Sequence, residues 1–253
     1  MKYFVFSDPH GNYEALLTAL SSQGYESTNP KHQLVGLGDY FGRAAQTNAD
    51  CVNIWNYLTS SIHKNKPICL RGNHESIILN AIYRRGLTEL DFRNGEDNTF
   101  ASFANVFPAQ IRYDYQRQFE ACKEMLNCGF AYWIEGLPWY FETKHYIFTH
   151  GFLPRTFFMA DCPLSQYTAE DWYKASWSKV PEEIIRLPDK RKGKTIVFGH
   201  WRAKQLNEMF LCKWEPEDGE IYNDPARKLI GLDITTVLSQ KVGCIVLEDK
   251  PNA

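Results

Sequence analysis

Short apolar runs recur along the chain, and each stops abruptly on polar residues. YFVF at 3–6 is made of β-formers and ends on S-D-P-H-G, as a buried strand ends in a turn. Residues 13–20 then carry helical spacing. LVGLGDY at 34–40 reads as a second buried strand ending in Gly-Asp. An amphipathic helix is predicted over 47–62, with Cys51, Ile54, Trp55, Leu58 and Ile62 on one face. A third strand at 68–70 runs into a polar loop, R-G-N-H-E, and 76–83 is again helical. Strand, loop and helix repeat three times, which predicts parallel βαβ organisation and an α/β fold class.

The pattern changes over 84–135. Helical spacing dominates at 111–126, with Gly129 near the helix end, and aromatic residues are abundant. Six basic residues stand against eight acidic ones there, which excludes a nucleic-acid clamp. The stretch is expected to be a helical insertion over the sheet, within one domain of residues 1–253. WYFETKHYIFTHG at 139–151 predicts two strands around a polar turn. TIVFGHW at 195–201, LIGLDI at 229–234 and CIVLED at 244–249 supply the remaining strands.

Composition narrows the partners. A net charge of −2 over 253 residues gives no pull toward nucleic acid or an anionic membrane. No apolar run is long enough for a spanning helix, and the first run is too short for a signal sequence. The seven cysteines are scattered singly without a CxxC pair, so neither a disulfide framework nor a zinc knuckle is expected. Most of them lie in apolar surroundings and are expected to be buried thiols, in a reducing, cytoplasmic setting.

The ends of the apolar strands carry the chemistry. They deliver Asp8 and His10, then Asp39, then Asn73 and His74, then His150, then His200. One histidine after a strand means little, but five successive strand ends bearing ligand-type side chains point to a metal site. Mixed carboxylate, imidazole and amide donors suit Mn²⁺, Fe or Zn²⁺.

The same residues carry a resemblance. D-P-H-G at 8–11 resembles the D-x-H-G motif of the calcineurin-like metallophosphoesterases, and G-D-Y-F-G-R at 38–43 their G-D-x-x-D-R. R-G-N-H-E at 71–75 matches the phosphoprotein phosphatase branch, while T-H-G at 149–151 and G-H-W at 199–201 stand at the last two histidine motifs. The motifs keep the family order over nearly the whole chain. The resemblance implies a central β sandwich flanked by helices and a pair of divalent metals, Mn²⁺ foremost. By that resemblance Asp8 and His10 hold one metal, Asn73, His150 and His200 the other, and Asp39 bridges them. Water activated between the metals would attack phosphorus, His74 would protonate the leaving group, and Arg43 would grip the phosphate in bidentate fashion. Asp39, Arg43 and His74 are thus the implied catalytic set, with Arg43, Asn73 and His74 meeting substrate.

The implied activity is Ser/Thr protein phosphatase-like hydrolysis of phosphate monoesters. The alternatives are a nucleotide phosphoanhydride hydrolase, such as a symmetrical bis(5′-nucleosyl)-tetraphosphatase, and a non-catalytic metal-binding scaffold. A phosphorylated protein or a nucleotide is the expected partner. Two positions depart from the family pattern. Gly42 stands where the family has the aspartate that supports the general-acid histidine, a departure shared by the symmetrical tetraphosphatases. Without a carboxylate there, His74 is expected to serve good leaving groups, aryl phosphates and anhydrides, better than alkyl esters. Trp201 replaces the commoner threonine and is expected to set a ring beside His200.

Other residues have everyday readings. Lys179 is a second phosphate contact or a solvated lysine. The cluster Arg186, Lys190, Arg191, Lys192 and Lys194 is an acidic-peptide site or a solvated loop. Tyr40, Phe41, Trp139, Phe152 and Trp201 either stack on a nucleobase or pack the core. Glu75 is expected to be supporting or structural.

Overall fold

A computed structural model of the chain describes residues 1–48, 50–154, 163–180, 193–213 and 219–249. Along β1 (Lys2–Ser7) the side chains alternate between two apolar layers, Phe4 and Phe6 toward one and Val5 toward the other. A strand with both faces covered reads as a continuous apolar run, which is why YFVF shows no polar alternation. β1 pairs in parallel with β2 (His32–Gly36), β2 in parallel with β3 (Ile68–Cys69), and β9 (Gly243–Glu248) runs antiparallel to β1. A second sheet has the order β4-β5-β6-β8-β7. Its strands are β4 (Tyr140–Glu142), β5 (Tyr146–Thr149), β6 (Thr195–Phe198), β7 (Tyr222–Asp224) and β8 (Leu229–Gly231).

The two sheets meet face to face. Val5, Val35 and Leu70 of the first pack on Phe148, Val197 and Ile230 of the second. Helices α1 (Tyr13–Ser22), α2 (Asp50–Thr59) and α3 (Asn73–Arg84) cover the outside of the first sheet. The same layer takes in α4 (Glu89–Asn94), α5 (Glu96–Ala104), α6 (Pro108–Ile111), α7 (Tyr115–Asn127) and α8 (Phe130–Glu135). Phe130 is fully buried, meeting Phe41 edge to face at 5.0 Å. A phenylalanine so buried contributes about 1.5–3 kcal/mol. The outside of the second sheet is covered by α9 (Ala169–Ser176) and α10 (Ala203–Leu211), through Trp172 and Leu206. The short helix α11 (Thr236–Ser239) links β8 to β9. This is the mixed α/β sandwich flanked by helices that the sequence predicts.

Several boundaries differ from the pattern. α3 starts at Asn73, not at 76, because Glu75 accepts a hydrogen bond from the Gly72 N–H and so satisfies the helix entrance. α2 starts at Asp50, whose carboxylate accepts from the backbone N–H groups of Gln46 and Thr47 and holds them in a turn. The expected helix over 111–126 is broken after Ile111, where Asp114 accepts from the Arg117 N–H and caps α7. Three of the six described cysteines are not fully buried: Cys128 and Cys212 are exposed, and Cys244 is half-buried. Among the described residues no helix is long and apolar enough to cross a membrane.

Candidate functional site

The carboxyl ends of strands from both sheets open on one cavity of about 260 Å³. β1 leads to Asp8 and His10, β2 to Asp39, β3 into Asn73 and His74, β5 to His150 and β6 to His200. The structure therefore gathers every sequence-predicted donor at one place. Glu75 explains much of that convergence. Its buried carboxylate accepts from the backbone N–H groups of Gly72, Asp39 and Tyr40, all at 2.8 Å, and so ties the start of α3 to the loop after β2.

Asp39 stands at the centre. Its Oδ1 lies 3.2 Å from His150 Nε2 and accepts from the His74 backbone N–H at 3.0 Å. Its Oδ2 faces His10 Nε2 at 3.9 Å and His74 Nε2 at 3.8 Å. Two donor groups thus share one carboxylate, Asp39 with His10 and His74, and Asp39 with His150 and His200. Asn73 joins the second, with Oδ1 at 2.8 Å from His150 Nε2. Asp8 flanks the first, 3.9 Å from His10 Nε2, while its carboxylate accepts from the His200 N–H.

The donor set fits a pair of divalent cations. His150 Nδ1 meets the Leu37 carbonyl at 2.9 Å, so this nitrogen carries the proton and Nε2 is left facing two oxygen acceptors. Only a cation at that point, a proton or a metal, reconciles the three atoms. Burial pulls the His150 imidazole down, but the Asp39 charge outweighs it and lifts it to about 9. Burial lowers His10 to about 3 and His200 to about 4, leaving neutral imidazoles, the ligand form. His10 Nδ1 is buried without a hydrogen-bond partner. Burial, and then the nearby Asp233, push Asp8 well above the carboxylate range, so negative charge here lacks compensation.

The calcineurin-like phosphoesterase family model matches residues 1–221. The chain belongs to this family. As a member it is a hydrolase acting on phosphate esters, in a family that depends on a dinuclear metal centre. A comparison with curated proteins finds no match. Solved structures share the fold at low identity. A cold-active protein tyrosine phosphatase is 15% identical, with a TM-score of 0.58 over 98% of this chain and 74% of that one. Another, from a psychrophilic Shewanella species, is 14% identical with a TM-score of 0.55, covering 98% and 75%. A candidate diadenosine tetraphosphatase is 13% identical, with a TM-score of 0.53, covering 98% and 95%.

The family's missing aspartate is where sequence and structure part. Gly42 carries no carboxylate, yet His74 does not lack one, because Nδ1 meets Glu96 Oε1 at 2.6 Å. Burial pulls the His74 imidazole down, but Asp39 and Glu96 together raise it to about 9. The expected weakness toward poor leaving groups therefore loses its premise. Glu96 opens α5, and nothing local in the sequence pairs it with a histidine 22 positions earlier. Asp233 was also missed, although it follows β8 as Asp8 follows β1. It lines the cavity and accepts from the Thr235 N–H at 2.8 Å.

Arg43 lines the cavity, but its Nε and Nη2 donate to the backbone carbonyl and side-chain oxygen of Asn94 at 3.0 and 2.6 Å. One edge of the guanidinium is thus taken, and a bidentate grip on phosphate must use the Nη1–Nη2 edge. Tyr40, Phe41 and Phe152 are fully buried core residues, and Trp139 packs under Arg71. Trp201 is a core residue whose ring lies under Lys179, with Nζ 5.4 Å from its centroid. The ring beside His200 is instead Trp177, at 6.4 Å and lining the cavity. Lys194 pairs with Glu142 at 2.8 Å, while Arg186, Lys190, Arg191 and Lys192 lie outside the described residues.

Proposed function

We propose that this chain is a dinuclear-metal-dependent phosphomonoesterase of the Ser/Thr protein phosphatase-like type. The observation that carries the reading is Asp39, whose carboxylate faces His10 through Oδ2 and His150 through Oδ1, beside a histidine held by a second carboxylate. Asp8 and His10 would hold one metal, Asn73, His150 and His200 the other, with Asp39 common to both. Such a pair, with Mn²⁺ the cation best suited to the mixed donors, polarises phosphoryl oxygens and lowers the pKa of water. The rest falls to the chain. Arg43 offers its free edge to phosphate oxygens. His74, anchored through Nδ1, presents Nε2 to the cavity and gives that proton to the departing alkoxide, a contribution of about 10²–10⁴-fold. Free thiols at all six described cysteines suit a reducing, cytoplasmic setting.

A second reading has its own observation. Arg202, Trp177 and the exposed Leu238 also line the cavity, and a second guanidinium with an exposed ring would suit a nucleotide polyphosphate. One assay separates the readings. Chelator-treated protein is given Mn²⁺, Fe²⁺ or Zn²⁺, then a phosphopeptide, a mononucleotide or a dinucleoside tetraphosphate. The expected result is no turnover without metal and fastest turnover of the phosphopeptide with Mn²⁺. A tetraphosphate preferred by tenfold or more favours the anhydride reading. No turnover of any substrate with metal present leaves a binding scaffold.

A further inference from the structure

We infer that the turn Asn94-Gly95-Glu96, at the junction of α4 and α5 in the insertion, is the device that positions both the proton donor and the phosphate grip. Resting on the phosphomonoesterase reading, the inference makes the insertion part of the catalytic machinery and assigns this protein alkyl phosphate esters as substrates.

Three consecutive residues serve two functional side chains. Asn94 takes the Nε and Nη2 hydrogens of Arg43. Glu96 takes the Nδ1 hydrogen of His74, with both side chains essentially buried. Gly95 between them adopts φ +79°, and a Cβ there would stand 2.9 Å from Arg43 Cγ, so the turn lies tight against that arginine.

The energetics favour a functional origin. Glu96 is fully buried, and its second oxygen, Oε2, has no hydrogen-bond partner. A buried polar oxygen left unpaired costs stability by about 1–3 kcal/mol. Packing alone would favour an apolar residue at this position. What the carboxylate supplies is a fixed His74 ring, with Nε2 as the only nitrogen able to donate. Gly42 fits the same logic. A Cβ there would stand 3.6 Å from both Glu96 Oε2 and His74 Nδ1, so an aspartate at 42 would crowd a second negative charge onto Glu96. The glycine and the glutamate form one arrangement, in which the insertion replaces the motif as the source of the carboxylate.

The two positioning residues have separable signatures. His74 matters most when the leaving oxygen is strongly basic, so Glu96→Gln should lower kcat/KM at least tenfold more for a phosphoserine peptide than for p-nitrophenyl phosphate. Arg43 acts on phosphate whatever leaves, so Asn94→Ala should raise KM and lower kcat/KM by a common factor for both, leaving their ratio unchanged. A readout without turnover accompanies them. In metal-free protein, a downfield imidazole N–H proton absent from His74→Asn reports the Glu96 contact, and it should be lost in Glu96→Gln and kept in Asn94→Ala. If Glu96→Gln fails to fold, that proton in the wild type and the Asn94→Ala kinetics still decide. An active wild type without such a proton, or with an unchanged ester ratio in folded Glu96→Gln, or with an unchanged KM in Asn94→Ala, overturns the inference alone. A metal-loaded wild type inactive on both esters overturns the function beneath it, and the inference falls with it.

Discussion

Asp8, His10, Asp39 and His200 all sit at positive φ, between +48° and +61°. Non-glycine residues there carry strain of about 1–3 kcal/mol each, tolerated where surrounding contacts enforce it. Those contacts are visible, since Thr236 Oγ1 donates to the Asp8 carbonyl and Glu75 holds the Asp39 N–H. Glu75→Gln replaces one acceptor oxygen with an amide NH2 that faces backbone donors. It should destabilise the fold by about 2 kcal/mol or more by urea titration, and a loss under 0.5 kcal/mol, roughly the size of a surface change, would contradict this role. Gly42→Asp is a second residue-scale test. A backbone of φ +98° and the adjacent Glu96 both oppose it, so it should lose about 2 kcal/mol and gain no activity on alkyl esters. A stable variant with faster phosphopeptide turnover would show that position 42 still wants a carboxylate. At this scale the sequence was legible where a side chain follows a strand and silent where partners are far apart. The rule that found Asp8 applies unchanged to Asp233 after LIGLDI. The His74–Glu96 pair has no such rule, since it depends on how α4 and α5 fold back.

Elements were legible in proportion to their length and apolar period. The two-face burial of β1, β5 and β6 made their apolar runs plain, whereas the three-residue β7, with the pattern buried–exposed–buried, gives too little signal. Starts of helices were misplaced because side chains, not apolar spacing, set them: Glu75 for α3, Asp50 for α2, Asp114 for α7. The end of β7 offers a test of one such side chain. Burial raises the Asp224 carboxyl, but hydrogen bonds from Arg227, with one from the Tyr222 hydroxyl, hold it below its ordinary value. A depressed carboxylate stabilises the fold fully above its unfolded pKa of about 3.9, and that contribution fades as pH falls through the lower folded value. Asp224→Asn should therefore cost about 1 kcal/mol at neutral pH, discounted for the half-open arginine. The gap to wild type should close below about pH 4. Thermal unfolding from pH 7 to pH 3 measures it, and a gap that widens in acid would reverse the sign.

At the scale of the molecule, a parallel trio of strands from one sheet and another from its partner point their carboxyl ends to one cavity, which is where open α/β sheets bind ligands. One of the two donor groups spans both sheets, because Asp39 comes from the first and His150 and His200 from the second. Metal binding should then couple the sheets, and saturating Mn²⁺ should raise the unfolding temperature by mass action. Calorimetry with and without a chelator checks this, and an unshifted transition would mean that the donors do not bind the metal in the folded state. The most direct measurement counts metal per chain. Equilibrium dialysis against Mn²⁺, read beside turnover of an aryl phosphate, should find two ions in the wild type and one or none in Asp39→Asn. Turnover should fall by more than the 10–100-fold typical of a group that only supports a ligand. Asp39→Asn protein that binds two ions and turns over normally would contradict a shared carboxylate at the centre of the site.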